Sequence, residues 1–367
     1  MFYAVTFAVL LLVFTLLMAV SAGPVDGVAA GRVIEPELAP PRTYEPGPRK
    51  AVVGTSIFTM PRAFTTLEQR LAELGELIDE MAADAHARHG RGLDLAALTE
   101  SAVTAGRRGS LVERALPLAG PVEAYFAAKA REHNTHLVVS FAMLEDAEQE
   151  IVSNVAVLFD RQGSVAGIYR KVFLVARPAD DALEGGKQPG TRFPVFDLDF
   201  GRVGMQICYD MGYDDGFDAL AAQGAELIIW PTASPQTVRP AARARIHELY
   251  IVSATRRNNA SIIDPLGEVV AQVEPPGRVV THELDLDYRI AHWQPGLNNG
   301  RALRRVFGDR VGFRYSERED YGIFWSNDPA TPIAAMLDEA GVMTDQAQRQ
   351  RTRVMREAAV VDAEAVR

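Results

Sequence analysis

Gly201-Arg202-Val203-Gly204-Met205-Gln206-Ile207-Cys208-Tyr209-Asp210 carries the only cysteine of a 367-residue chain. Val203, Met205 and Ile207 alternate with small or polar residues, which predicts a strand, and the run breaks at Cys208 into an acidic, Gly-containing turn, Tyr209 to Gly216. Downstream, Phe217 to Gly224 reads as a short helix and Ala225 to Trp230 as a second buried strand closed by Pro231. Strand, thiol, helix and strand make one α/β unit, and in open α/β sheets reactive groups collect where strands end. Free cysteine is also among the most buried residue types, so a core thiol is the competing reading of Cys208.

The composition around this unit, 48% hydrophobic and 23% charged, is that of a globular protein with a sizeable core. A formal net charge of −10 argues against a nucleic-acid partner, because phosphate backbones are bound by clustered Lys and Arg. The basic pairs Arg107-Arg108, Arg256-Arg257 and Arg304-Arg305 are too short to change this and read as solvated surface. With one cysteine there is no intramolecular disulfide, so the core alone must hold the fold.

At the N-terminus, Ala4 to Val20 is an unbroken apolar run followed by Ser21-Ala22-Gly23. Residues 1–22 therefore read as a cleaved signal peptide or an uncleaved membrane anchor, and either places the protein outside the cytoplasm: periplasmic, extracellular or tethered to the membrane. Residues 23–50, with six prolines, read as an extended linker. A folded domain is expected over 51–287 and a C-terminal extension over 288–367.

Within the domain, Ala51 to Ile57 is the expected first strand, and Thr65 or Thr66 can cap a helix whose Leu67, Leu71, Leu74, Ile78 and Met81 recur at helical spacing. His86 and His89 near its end lack a third ligand and read as solvated; no metal or cofactor is expected. Leu93 to Glu100 reads as a short strand ending on a carboxylate, Val122 to His133 as a helix and Leu137 to Phe141 as a strand. Ile151–Asp160 and Ser164–Tyr169 read as a hairpin running into Arg170-Lys171, so a lysine also sits at a strand end. After the cysteine unit come a helix-then-strand segment (241–254), a hairpin around Pro265-Leu266-Gly267 and a closing strand from Thr281 to Leu286. Beyond Asp287 regular alternation is lost, with an aromatic patch (Tyr321, Phe324, Trp325) and a terminal helix expected from Pro332 to Val360.

Glu100, Lys171 and Cys208, at three successive strand ends, resemble the Glu-Lys-Cys triad of the nitrilase, or carbon-nitrogen hydrolase, superfamily. The matching stretches are Asp94 to Glu100, Gly167-Ile168-Tyr169-Arg170-Lys171-Val172-Phe173-Leu174 and the quoted cysteine segment. The resemblance extends to Ser153-Asn154-Val155-Ala156-Val157, Gly224-Ala225-Glu226, Trp230-Pro231-Thr232 and Ile263-Asp264-Pro265-Leu266-Gly267, in order, over roughly Ala51 to Asp287. It implies a four-layer α-β-β-α sandwich, assembly as a homodimer or higher homo-oligomer, and a small-molecule amide or nitrile as substrate.

The chemistry suits these residue types. A thiol of ordinary pKa about 8.5 is mostly protonated near neutrality and needs a base and a nearby cation. The resemblance implies Glu100 as general base, Lys171 as stabiliser of thiolate and oxyanion, and Cys208 as nucleophile, with the Tyr209 N–H as second oxyanion donor. A further family glutamate is best matched by Glu184, which would orient Lys171 or the attacking water; a plain surface glutamate is the competing reading. Two departures stand out. Thr99 replaces the proline common before the glutamate, and Gly212 stands where the branch acting on ω-amides of dicarboxylic acids tends to carry an arginine. Asp210, Asp214, Asp215 and Asp218 either form solvated loop charge or disfavour an anionic substrate.

Cys-Tyr-Asp is closer to the amidase branches than to nitrile-hydrolysing members, so hydrolysis of an amide or carbamoyl C–N bond leads. The alternatives are an acyltransferase of the same superfamily, and a catalytically silent binding module of the same fold at the cell envelope.

Overall fold

The two faces of each central strand are buried here, so the strands read as near-continuous apolar runs covered by helices on one side and a second sheet on the other. In the computed structural model, which describes residues 43–60, 64–176 and 181–365 with side chains to 360, one six-stranded sheet has the spatial order Val279–Asp285 (β12), Lys50–Ser56 (β1), Leu95–Ala97 (β2), His136–Asp146 (β3), Ile151–Phe159 (β4) and Val165–Arg170 (β5). β1, β2 and β3 run parallel, and the outer pairings are antiparallel. The second sheet has the order Val269–Val273 (β11), Ala260–Ile263 (β10), Tyr250–Ala254 (β9), Leu227–Pro231 (β8), Arg202–Met205 (β7) and Val195–Asp197 (β6). Its centre, β7, β8 and β9, is again parallel.

Helices Leu67–His89 (α1) and Pro121–His133 (α3) cover the first sheet, with the single turn Leu111–Arg114 (α2) between them. Thr66 accepts the Gln69 N–H and caps α1, whose Leu71, Leu74, Ile78 and Met81 join Phe126 of α3 and Phe141, Val157 and Phe159 of the sheet in one core. Asp215–Ala222 (α4) and Val238–His247 (α5) lie on the second sheet, where Leu220 packs over Gly204 of β7. The sheets face each other and are joined where β1 and β9 end. Thr55 Oγ1 donates to the Ser253 carbonyl at 2.6 Å, and the Thr255 N–H donates to the Ser56 carbonyl at 3.0 Å. The layer order is the expected α-β-β-α sandwich.

Three segments differ from their sequence reading. The close of the stretch read as a linker is fastened to the body: Arg49 makes a two-pronged ion pair with Glu226, and the Tyr44 hydroxyl donates to the Leu198 carbonyl at 3.2 Å. The region where alternation fades holds a three-stranded antiparallel sheet, Tyr288–His292 (β13), Tyr321–Ser326 (β15) and Val311–Ser316 (β14). Together with Arg301–Phe307 (α6) and Ile333–Glu339 (α7) it encloses a separate core of Leu297, Leu303, Phe307, Phe324, Ile333, Met336 and Leu337. The expected helix from Pro332 to Val360 is two helices, α7 and Asp345–Ala365 (α8), parted at Gly341, whose φ of 64° no continuing helix adopts. Residues 1–42, which hold the expected signal or anchor and most of the linker, lie outside the described residues. Among the described residues no helix is long and apolar enough to cross a membrane.

Candidate active site

Three turns converge where the two sheets meet. Glu100 follows β2, Lys171 follows β5, and Cys208 opens a 3₁₀ turn, Cys208–Gly212, beyond β7. Lys171 is 1% exposed, and its Nζ donates to Glu100 Oε1 at 3.0 Å and to Glu184 Oε1. Asn154, on β4, ties the same carboxylates from the other side, with Nδ2 3.0 Å from Glu100 Oε1 and 3.2 Å from Glu184 Oε2. The Cys208 thiol lies within electrostatic reach of Glu100, Lys171, Thr232 and the Ala233 N–H. The structure thus brings Glu100, Lys171, Glu184 and Cys208 into one cluster, with the Glu184 carboxylate turned inward onto Lys171 and Asn154 rather than to the surface.

Backbone strain accompanies this convergence. Cys208, Glu184 and Ser101, the residue after Glu100, have φ of 46°, 43° and 53°, a left-handed region that non-glycine residues seldom occupy away from special turns. The turns persist because their polar groups are tied from outside. The Trp230 indole donates to the Cys208 carbonyl at 3.1 Å, Thr99 Oγ1 donates to the Thr232 carbonyl at 2.7 Å, and the Ser101 N–H donates to Ser140 Oγ at 3.1 Å. Thr99 thereby has a hydrogen-bonding task that proline could not perform.

Burial and charge set the protonation states. Burial pushes the Glu100 carboxyl up, but the charges of Lys171 and Arg256, with hydrogen bonds from Lys171 and Cys208, outweigh it and hold the group below the usual glutamate range. Burial lowers the affinity of Lys171 for its proton, and Glu100, Cys208 and Glu184 more than reverse this, so the ammonium stays charged. For Cys208, burial and then the Glu100 charge push the thiol up to about 11 against the pull of Lys171, Ala233 and Thr232. The resting nucleophile is therefore a neutral thiol beside an ionised base.

Within the acidic turn Asp214, Asp215 and Asp218 are exposed loop charge, and Asp210 alone turns inward. Asp210 is fully buried and accepts from the Ile207 N–H at 2.8 Å, the Phe173 N–H at 2.8 Å and the Tyr169 hydroxyl at 2.7 Å. It braces the lysine turn against the cysteine turn. Asp214 pairs with Arg243, and Asp218 lies 3.9 Å from His247 Nε2. A Cβ on Gly212 would stand in ordinary contact with the Arg239 guanidinium, at 3.5 Å. Tyr209 is 44% exposed and meets Tyr213 edge-on, while Tyr213 stacks on Phe173 with centroids 3.7 Å apart.

Two residues that touch this cluster escape the sequence reading. Arg256, read as solvated surface, is half-buried and donates through Nε and Nη2 to the Glu100 carbonyl at 3.2 and 3.0 Å. Lys187 donates to the Glu184 carbonyl at 3.3 Å, and burial lowers its pKa. Asn154 had entered only as part of a matching motif. His86 is exposed and His89 half-buried. Among the described residues, Asp79, Glu132 and His133 group closely enough to face one metal ion, but both carboxylates are exposed and already paired with Lys129.

Comparison with known proteins adds an independent line. Residues 51–292 match the family described as Carbon-nitrogen hydrolase. The human omega-amidase NIT2 is 29% identical over 178 residues, 43% of this chain and 64% of that protein. The deaminated glutathione amidase of Yersinia enterocolitica is 28% identical over 176 residues, 42% of this chain and 62% of that protein. The chain thus spans less than two thirds of the length of these relatives. Among solved structures, Saccharomyces cerevisiae Nit3, a member of branch 10 of the nitrilase superfamily, superposes with a TM-score of 0.56 at 19% identity, over 64% of this chain and 90% of that one. An amidase from Nesterenkonia sp. superposes with a TM-score of 0.52 at 19% identity, over 64% and 90%. At such identities the superpositions speak for the fold.

Proposed function

The chain belongs to the carbon-nitrogen hydrolase family, and from that membership we propose that it hydrolyses a non-peptide C–N bond of a small amide or carbamoyl compound through a cysteinyl thioester. The observation that carries this reading is the buried contact of Lys171 Nζ with Glu100 Oε1 at 3.0 Å, with the Cys208 thiol beside the same carboxylate. In the first half-reaction the Cys208 sulfur attacks the carbonyl carbon while Glu100 takes the thiol proton, which avoids a free thiolate in a site where the thiol is hard to ionise. The oxyanion forms beside the Lys171 ammonium and the Tyr209 N–H. As the C–N bond breaks, the proton on Glu100 passes to the departing nitrogen, leaving ammonia or an amine and the thioester. Water then gives its proton to Glu100 and its oxygen to the acyl carbon, and the proton returns to Cys208 as the carboxylic acid leaves. Glu184 and Asn154 hold Lys171 and Glu100 in place throughout.

Amides and carbamoyl compounds are preferred to nitriles on the Cys208-Tyr209-Asp210 segment, and the apolar run at residues 4–20 supports action outside the cytoplasm. The test is ammonia release from a panel of small amides, carbamoyl compounds and nitriles by the full chain and its Cys208→Ala variant. The expected result is release by the first alone, with an acyl adduct on Cys208 in intact mass spectra. No release from any compound, and no adduct, would overturn the hydrolase reading. Fractionation of expressing cells and sequencing of the mature N-terminus test the location; retention in the cytoplasm with residues 1–22 intact would reject it.

A further inference from the structure

Glu100 has a supporting group that no reading of its own segment reveals. Its carbonyl points away from the strand ladder and is met by the guanidinium of Arg256, which reaches across from the loop after β9 in the opposite sheet. Two N–H groups of one guanidinium on a single carbonyl oxygen fix the plane of the Glu100–Ser101 peptide. That plane is under strain, since Ser101 is left-handed at φ 53°. On either side the chain is tied to other elements, by Thr99 to the Thr232 carbonyl and by Ser101 to Ser140. The peptide plane sets the direction of the Glu100 Cα–Cβ bond and therefore where the carboxylate meets Cys208 and Lys171.

We propose that Arg256 is a positioning residue for the general base: it clamps the Glu100 peptide so that the carboxylate is aimed at the Cys208 thiol, and it keeps a second positive charge beside that carboxylate. The inference rests on the hydrolase reading for the term general base, though the geometric claim stands without it. The groups facing Glu100 are Lys171 from the turn after β5, Asn154 from β4, Cys208 from the nucleophile turn and Arg256 from the loop after β9, with Glu184 and Lys187 one contact further out. Lys171 carries the larger share of the charge effect on Glu100 and Arg256 the next. Removing Arg256 therefore leaves Glu100 able to ionise but moves its titration upward.

The test compares the full chain with Arg256→Gln and Arg256→Lys and needs no known substrate. Alkylation of Cys208 by iodoacetamide, read by intact mass across the pH range, reports the ionisation of Glu100 as an inflection on the acid side. In Arg256→Gln that inflection is expected to move to higher pH, and the plateau rate to fall about tenfold as the base loses its aim. Arg256→Lys, which keeps the charge without the fork, is expected to restore the inflection but not the plateau. If amide turnover is found, kcat is expected to fall while KM changes by less than about twofold. An inflection unmoved in Arg256→Gln, whatever its activity, overturns the proposal. If Arg256→Gln does not fold, as judged by circular dichroism, Arg256→Lys decides: a plateau equal to that of the parent chain overturns it. A chain that hydrolyses nothing yet shows the shifted inflection would reject the hydrolase reading alone.

Discussion

Asp210, Asp214 and Asp218 sit within nine residues of one another and meet three different fates: a buried brace, an ion pair with Arg243 and a neighbour of His247. The brace carries the consequence for catalysis, because its two oxygens hold the backbone on both the lysine and the cysteine side. Asp210→Asn turns an amide NH₂ toward either the Ile207 or the Phe173 N–H. We expect a loss of roughly 10²-fold in kcat from misplacement of the nucleophile turn, and a stability cost of about 1–3 kcal/mol from the unmet donor. Turnover and a urea titration of the variant check both; an unchanged kcat would deny the brace its role. The Glu100, Lys171 and Cys208 positions were legible because each ends a strand whose own pattern is local. Arg256 was not, because its partner is a main-chain carbonyl 156 residues away, which no side-chain pattern encodes. Asp214, Asp215 and Asp218 are the solvated loop charge that composition suggests, whereas buried Asp210 departs from it, because composition counts charges but not the donors folded against them.

At the scale of elements, β7 must approach α4 closely for the cysteine turn to meet the lysine turn, and Gly204 provides the room. A Cβ there would stand 2.9 Å from Leu220 Cδ2, so Gly204→Val is expected to cost about 1–3 kcal/mol through overpacking and to lower activity with it. Denaturant midpoints and turnover measured on the same variant check this, and a neutral effect on both would show that α4 yields freely. Helix α1 was readable from Thr66 and its leucine spacing, since capping and amphipathicity are properties of adjacent residues. The three C-terminal strands were not. β13 pairs with β15, some thirty residues on, before β14 completes the sheet, and Gly312 and Gly322 interrupt the alternation where Trp325 and Tyr315 crowd the backbone.

For the molecule as a whole, stability against pH has a component of unusual sign. Burial raises Asp285 to about 6, and its Oδ2 has no hydrogen-bond partner among the described residues. A carboxyl whose folded pKa lies above its unfolded value disfavours folding as it ionises, so this penalty is absent below about pH 4, grows between about 4 and 6 and is complete above. Asp285→Asn is therefore expected to stabilise the chain by about 1–3 kcal/mol at pH 8 and by almost nothing at pH 4; urea midpoints at both values decide it, and equal shifts would refute it. The outer part of α8 is exposed from Arg351 to Val360, so truncation after Gln350 is expected to leave the urea midpoint within about 0.5 kcal/mol. Light scattering on the same pair tests whether the extension makes subunit contacts, as a fall in mass on truncation would indicate. Finally, Glu100 and Lys171 belong to one sheet and Cys208 to the other. Any breathing motion that parts the sandwich therefore separates the chain's single thiol from its base and its cation at one stroke.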